Sequence, residues 1–146
     1  MATSVFLDTN LLIYAINEDS PWHSAAVALI DKINTGEVQA CLSPQVLAEF
    51  YATVTNSKKV KHALTADEAV ATVDGYIDSD ILKLYPGEGT MKHTYEIAQR
   101  YRTKGLDIYD AQIVALMLEN DVTTIYTANL SDFKRFKDIV AVNPLE

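Results

Sequence analysis

The sequence predicts an α/β fold with a mostly parallel five-stranded sheet flanked by helices, and three observations lead there. Short apolar runs rich in β-branched and aromatic residues alternate along the chain with longer segments of helical periodicity. Helix-start and helix-stop residues separate the two kinds of segment. No repeat, low-complexity stretch or linker-like run breaks the alternation, so residues 1–146 read as one domain.

Val5-Phe6-Leu7 has the make-up of a strand covered on both faces. Asp8 ends it, and a helix follows from near Leu11. Ligands of open α/β sheets bind in the crevice beyond the carboxyl ends of the strands, so Asp8 is either a binding-site carboxylate or a helix cap. Ser20-Pro21 predicts a second helix, with Ser20 as N-cap and Pro21 at the first helical position. Ala25, Ala26, Leu29, Ile30 and Ile33 form its apolar face, and Gly36 ends it. Val38 to Leu42 is the second strand. Ser43-Pro44 opens a helix carrying Val46, Leu47, Phe50, Tyr51 and Val54. Thr65-Ala66-Asp67-Glu68 is a capping box, starting a helix that runs to about Asp78.

Ile81 to Tyr85 reads as the third strand, stopped by Pro86. A polar-faced helix runs from Thr90 to about Lys104, where Gly105 ends it. Asp107 has the position of an N-cap for the most apolar helix, Ile108 to Leu118. Thr123 to Thr127 is the fourth strand, Leu130 to Phe136 a short helix, and Ile139 to Val142 the fifth strand before Pro144.

Composition excludes several classes. Hydrophobic residues make up 49% and charged residues 22% of the chain, the balance of a soluble globular protein. Cys41 is the only cysteine, which rules out an intrachain disulfide and fits a reducing cytoplasm. There is neither the basic start and apolar stretch of a signal peptide nor a run long enough to cross a membrane. The net charge of −8 argues against broad nonspecific affinity for nucleic acid. It remains compatible with a nuclease whose acids are neutralised by metal, or with a basic protein partner.

The acids at element ends or on apolar faces are the candidates for chemistry. Asp8 follows the first strand. Glu49 lies in Val46-Leu47-Ala48-Glu49-Phe50-Tyr51, and Asp110 falls in the first turn of the most apolar helix. Asp132 comes five residues after Thr127. Singly, each has a plain structural reading: a cap, a partner for the helix macrodipole, or an ion pair at the rim of the core. Jointly they are harder to explain, because burying several carboxylates without cations is costly. If the fold brings Asp8, Glu49 and Asp110 together, a hard divalent cation such as Mg²⁺ or Mn²⁺ is the natural compensation, completed by water and substrate phosphate.

These stretches resemble the PIN domain, in particular the small VapC-type ribonuclease toxins of prokaryotic toxin–antitoxin pairs. The resemblance covers nearly the whole chain. It is carried by Phe6-Leu7-Asp8-Thr9-Asn10, by Val46-Leu47-Ala48-Glu49-Phe50-Tyr51 and by Tyr109-Asp110-Ala111-Gln112-Ile113-Val114-Ala115. Ile125-Tyr126-Thr127-Ala128-Asn129-Leu130-Ser131-Asp132-Phe133, followed by Val142-Asn143-Pro144, completes it. The resemblance implies a PIN-like three-layer fold and metal-dependent hydrolysis of RNA leaving 5′-phosphate and 3′-hydroxyl ends. It also implies a small antitoxin partner and a homodimer.

Residue by residue, the family's first three acids match Asp8, Glu49 and Asp110, which the resemblance makes the catalytic and metal-binding set. Its fourth acidic position falls on Asn129, whose amide offers a carbonyl oxygen but no charge. Asp132, one helical turn on, is a candidate to compensate. Asp107 reads as a cap in preference to a ligand. Thr9, Asn10, Thr127 and Asn129 are candidates to hydrogen-bond substrate phosphate, although the first three could equally satisfy local turns.

Three basic clusters could guide RNA, or simply be solvated helix faces: Lys58-Lys59-Lys61-His62, Arg100-Arg102-Lys104 and Lys134-Arg135-Lys137. His23, His62 and His93 show no metal-ligand spacing. Trp22 and Tyr51 read as core or interface residues, and Cys41 as an inert small hydrophobe. An aspartyl-phosphate phosphatase would want a second Asp at position 10, where Asn10 stands. The alternative from another class is a PIN-like RNA-binding or protein-interaction module weakened in catalysis, kept open by Asn129.

Overall fold

The computed structural model describes residues 3–146. Its strands are β1 (Val5–Leu7), β2 (Ala40–Leu42), β3 (Leu82–Lys83), β4 (Thr124–Tyr126) and β5 (Val140–Val142). Its helices are α1 (Thr9–Ile16), α2 (His23–Asn34), α3 (Pro44–Val54), α4 (Ala66–Asp78), α5 (Glu88–Tyr101), α6 (Ile108–Glu119) and α7 (Leu130–Phe133). The sheet order is β3-β2-β1-β4-β5, and every pairing in it is parallel. Phe6 and Leu7 of β1 are fully buried, as the central strand of a sheet covered on both faces requires.

Right-handed crossovers then assign the layers. The chain steps from β1 outward to β2 and β3 through α1–α4, and from β4 outward the other way through α7. The α5–α6 pair carries it back across the sheet, so it lies on the face opposite α1–α4. The packing agrees: α1 lies against α2 and α3, α3 against α4, and α5 against α6. Leu11, Leu12, Val46 and Phe50 fill one side of the sheet, and Val114, Met117, Phe133 and Phe136 the other.

Local signals were realised with a few shifts. Thr65 Oγ1 accepts the Glu68 N–H at 3.2 Å while Glu68 Oε1 accepts the Thr65 N–H at 3.0 Å, so the capping box forms. Ser43 accepts the Val46 N–H and caps α3. Helix α2, by contrast, begins at His23, not at Pro21. Ser20 Oγ accepts the Trp22 N–H at 3.1 Å in a turn that precedes the helix, and Trp22 takes the cap position without a side-chain bond.

Helix α5 ends at Tyr101, before the Lys104 expected, because Arg102 adopts a left-handed backbone with φ 55°. That conformation costs a side-chain-bearing residue about 1–2 kcal/mol. Gly105, expected as the stop, instead opens a 3-10 turn, Gly105–Asp107, that runs straight into α6. Asp107 therefore has a helical backbone (φ −65°, ψ −11°) and its side chain caps nothing. A capping side chain needs extended backbone to fold back onto the first turn. Strand β3 keeps only two residues of the expected Ile81–Tyr85. Tyr51 packs half-buried on the core, while Trp22 is 40% exposed.

Candidate active site

β1 and β4 are neighbours, yet the chain leaves them toward opposite edges of the sheet. The crevice between their carboxyl ends is the topological switch point, where α/β folds bind ligands. The register Leu7↔Tyr126 sets Asp8 beside Thr127 there, and the Asp8 N–H donates to the Tyr126 carbonyl at 3.0 Å. The Thr127 hydroxyl, fully buried, donates to Asp8 Oδ2 at 2.8 Å. It also accepts the Asn129 N–H at 3.0 Å and Asn10 Nδ2 at 3.3 Å.

Asn10 is a cross-link: its Nδ2 also reaches Asp8 Oδ2 at 3.3 Å, and its Oδ1 accepts the Ala128 N–H at 3.2 Å. Asp8 Oδ1 accepts the Thr9 N–H at 2.8 Å and so occupies the N-cap position of α1. Glu49, in the second turn of α3, is held on both oxygens. Oε2 accepts the Thr9 hydroxyl at 3.0 Å and Oε1 accepts Gln45 Nε2 at 2.9 Å.

Asp8, Thr9, Asn10, Glu49, Asp110, Asn129 and Asp132 line a single open depression of about 410 Å³, with Ile13, Ala52 and Thr53. Asp8 from the end of β1, Glu49 from α3 and Asp110 from α6 thus line one depression. Thr127 is buried and does not line the depression, but it is bonded to three residues that do, Asp8, Asn10 and Asn129. Asp132, exposed on α7, joins the acidic lining where Asn129 brings no charge.

The acids strain one another electrostatically. Burial pushes the Asp8 carboxyl above its ordinary value, against the pull of its Thr127 and Thr9 hydrogen bonds, and the charges of Glu49 and Asp132 add to the rise. Asp110 is pushed up to about 7, first by burial and then by Asp132, Asp8 and Asp107, with Arg135 opposing. Oxygen-only donors that resist ionising together are what a hard divalent cation relieves, so the residues fit Mg²⁺ or Mn²⁺. As they stand, no group of three or more His, Cys, Asp or Glu side chains among the described residues is placed to hold a metal ion by itself. The influence of Arg135 on Asp110 was not anticipated. Its only sequence signal is a place three residues after Asp132, at the end of the short helix.

The sequence model of the PIN domain matches residues 5–139. Ribonuclease VapC43 of Mycobacterium tuberculosis is 28% identical over 141 residues, spanning 96% of this chain and 95% of its own length. The crystal structure of VapBC2 from Rickettsia felis, bound to a promoter DNA fragment, superposes with a TM-score of 0.68 at 20% identity, over 97% of this chain and 98% of that one. VapC20 of Mycobacterium tuberculosis, described as a sarcin–ricin loop cleaving toxin, gives 0.65 at 18% identity, over 85% of this chain and 88% of its own. With the matched model spanning nearly the whole sheet and every acid of the depression, the chain belongs to the PIN domain family.

Proposed function

We propose that this chain is a metal-dependent endoribonuclease and the toxin of a toxin–antitoxin pair. The observation that carries the reading is the meeting of Asp8, Glu49 and Asp110 from three separate elements at the switch point, with two of them resisting ionisation. Relatives named ribonucleases, and fold neighbours titled as toxins or VapBC complexes, support the substrate and the partner.

Asp8 and Asp110 would hold the metal, Mg²⁺ or Mn²⁺. Glu49, fixed by Thr9 and Gln45, completes the set or orients the attacking water. When bound, such a cation would supply Lewis acidity for activating water and for stabilising charge on the phosphate. Thr127 and Asn10 hold Asp8 in place, leaving Asn129, exposed at the rim, free to bond a phosphate oxygen.

The antitoxin enters the same depression with a basic side chain, an arginine, that pairs with Asp8 or Asp110 by charge-assisted hydrogen bonds. A homodimer would cover Met91, Tyr95 and Tyr109, which stand exposed along an α5–α6 groove of about 720 Å³. The reading places the protein in the cytoplasm; no helix among the described residues is long and apolar enough to cross a membrane.

Titrating Mg²⁺ and Mn²⁺ against thermal unfolding, then assaying RNA cleavage with wild type and Asp110→Asn, tests this. Metal-dependent cleavage lost in the variant is expected. RNA binding without cleavage at saturating metal would favour the non-catalytic module instead, a reading that Asn129 motivates.

A further inference from the structure

Two basic clusters far apart in sequence are one surface in the fold. Residues 100–104 span the end of α5, and residues 134–138 follow α7. Arg135 Nη1 donates to Thr103 Oγ1 at 3.1 Å, the Lys137 N–H donates to the Tyr101 hydroxyl at 3.2 Å, and Arg100 pairs with Asp138 at 3.2 Å. The Tyr101 and Phe136 rings pack edge to face at 5.2 Å, and the Arg135 guanidinium stacks on Phe136 at 4.3 Å.

The joined segments contain Arg100, Arg102, Lys104, Lys134, Arg135 and Lys137, half of the 12 Lys and Arg in a chain of net charge −8. Asp138 is their only acid, and Arg100 neutralises it. Arg102, Lys104, Lys134 and Lys137 are exposed and, among the described residues, in no ion pair. The surface adjoins the acidic depression, since Asp132 of α7 lines that depression and Arg135 acts on Asp110.

The Lys58–His62 cluster is, by contrast, one short run on the loop after α3. His62 is also tied to Asp19 at 2.8 Å, beside Glu18.

We propose that residues 100–104 and 134–138 form the track along which single-stranded RNA runs beside the acidic depression, with Arg102, Lys104, Lys134 and Lys137 each meeting a phosphate. This rests on the ribonuclease reading above, and it takes two of the three basic clusters, joined, as the substrate surface. RNA fits better than an acidic protein because the exposed cations are spread along two joined segments next to a site built for phosphodiester chemistry. Neutralising phosphates one by one gives a binding constant that falls with salt in proportion to their number.

The test compares wild type, Arg102→Gln/Lys104→Gln/Lys134→Gln/Lys137→Gln, the milder Lys134→Gln/Lys137→Gln, and Lys58→Gln/Lys59→Gln/Lys61→Gln. Binding of a short labelled single-stranded RNA is followed by fluorescence anisotropy over a series of salt concentrations, with Ca²⁺ in place of the catalytic metal. KM and kcat are measured separately in Mg²⁺. The salt slope should flatten by about 0.7 for each cation removed, roughly 3 units in the fourfold variant and about half of that in the double variant. KM should rise at least tenfold with kcat nearly unchanged, and the Lys58 variant should match wild type.

The proposal is overturned if the slope and KM of both patch variants equal those of wild type. It is equally overturned if the Lys58 variant carries the loss, or if the patch variants lose only an acidic protein partner. Because binding is read without turnover, an inactive wild type would refute the ribonuclease reading and leave the result on the track intact.

Discussion

Replacing Asp8 by Asn changes one oxygen for an NH₂ group and separates a metal-binding role from a capping one. At the Oδ1 end nothing is lost: the Asn carbonyl accepts the Thr9 N–H as the carboxylate does, and Asn caps about as well as Asp. At the Oδ2 end an NH₂ group faces Asn10 Nδ2, a donor, and a Thr127 hydroxyl that already accepts two N–H groups. Losing those two bonds costs on the order of 1–3 kcal/mol. Against this stands the removal of a charge that the fold disfavours on balance, since the Asp8 carboxyl is raised even with its hydrogen bonds counted. The two effects oppose, so the metal-free variant should melt within about 4 °C of wild type, the shift that roughly 1 kcal/mol produces in a domain of this size.

Metal separates the roles. At a concentration one hundred times Kd, a ligand adds about 2.7 kcal/mol to the folded state, or roughly 5–10 °C in Tm. A tenfold loss of affinity halves that gain, and a larger loss abolishes it. Differential scanning fluorimetry across Mg²⁺ and Mn²⁺ concentrations, run beside an RNA-cleavage assay, reads both quantities. The expected pattern is near-wild-type melting without metal, a much reduced metal shift, and cleavage lower by orders of magnitude. Asp8→Asn protein that keeps the full metal shift and its activity would refute the metal role and leave Asp8 a cap.

The other expectations concern single groups. Asp110 has its carboxyl raised from 3.8 to about 7, so the folded state holds a proton that the unfolded chain releases; metal-free stability should fall as pH climbs from about 4 to about 7 and level off above. Protons compete with metal over the same window, so the metal-induced Tm shift should grow with pH, and Asp110→Asn should flatten both curves. Thr127→Val, at a fully buried position, removes the partner of the Asn129 N–H and one of the partners of Asp8 Oδ2 and of Asn10 Nδ2; about 1–3 kcal/mol of stability should disappear on thermal unfolding. Cys41 is buried with its thiol pushed up to about 12, so a thiol reagent should label it only as fast as the protein unfolds. Thr65→Ala breaks the capping box of α4 and should lower stability by about 1 kcal/mol in the same melts.

What the sequence made legible was local in origin. The strand–helix alternation, the Thr65 capping box and the carboxylate closing β1 all depend on periodicity or on residues within four positions of each other. Placing Asp8, Glu49 and Asp110 together needed the resemblance as well, because no spacing within one element joins β1, α3 and α6. The long-range partner of Asp8 was not legible at all. Thr127 lies 119 residues away, and only the parallel register of β1 with β4 makes it a neighbour. The end of α5 was misplaced for a similar reason. Gly105 is the better local stop, but the Thr103 N–H returns to the Ala98 carbonyl at 2.9 Å and Arg135 pins the Thr103 hydroxyl. Those contacts hold Arg102 in a backbone conformation that its own preference opposes.

Sequence reasoning set capping against metal binding at Asp8, and the geometry shows that the cap does not exclude the proposed metal role. A carboxylate has about four lone-pair directions. Asp8 uses one on the Thr9 N–H and presents Oδ2 to two donors, Thr127 and Asn10. One direction remains on a side chain that lines the depression. The three bonds come from α1 and from the segment after β4, so they anchor the carboxylate to both sides of the switch point. A ligand held this way loses little rotamer freedom when a cation arrives, and its geometry is set before the cation binds. The Thr127 and Thr9 bonds lower the carboxyl's pKa and offset part of the cost of keeping it charged where it is buried, beside Glu49 and Asp132. The cap is thus the device by which this fold holds an ionised oxygen ready at the carboxyl end of its central strand.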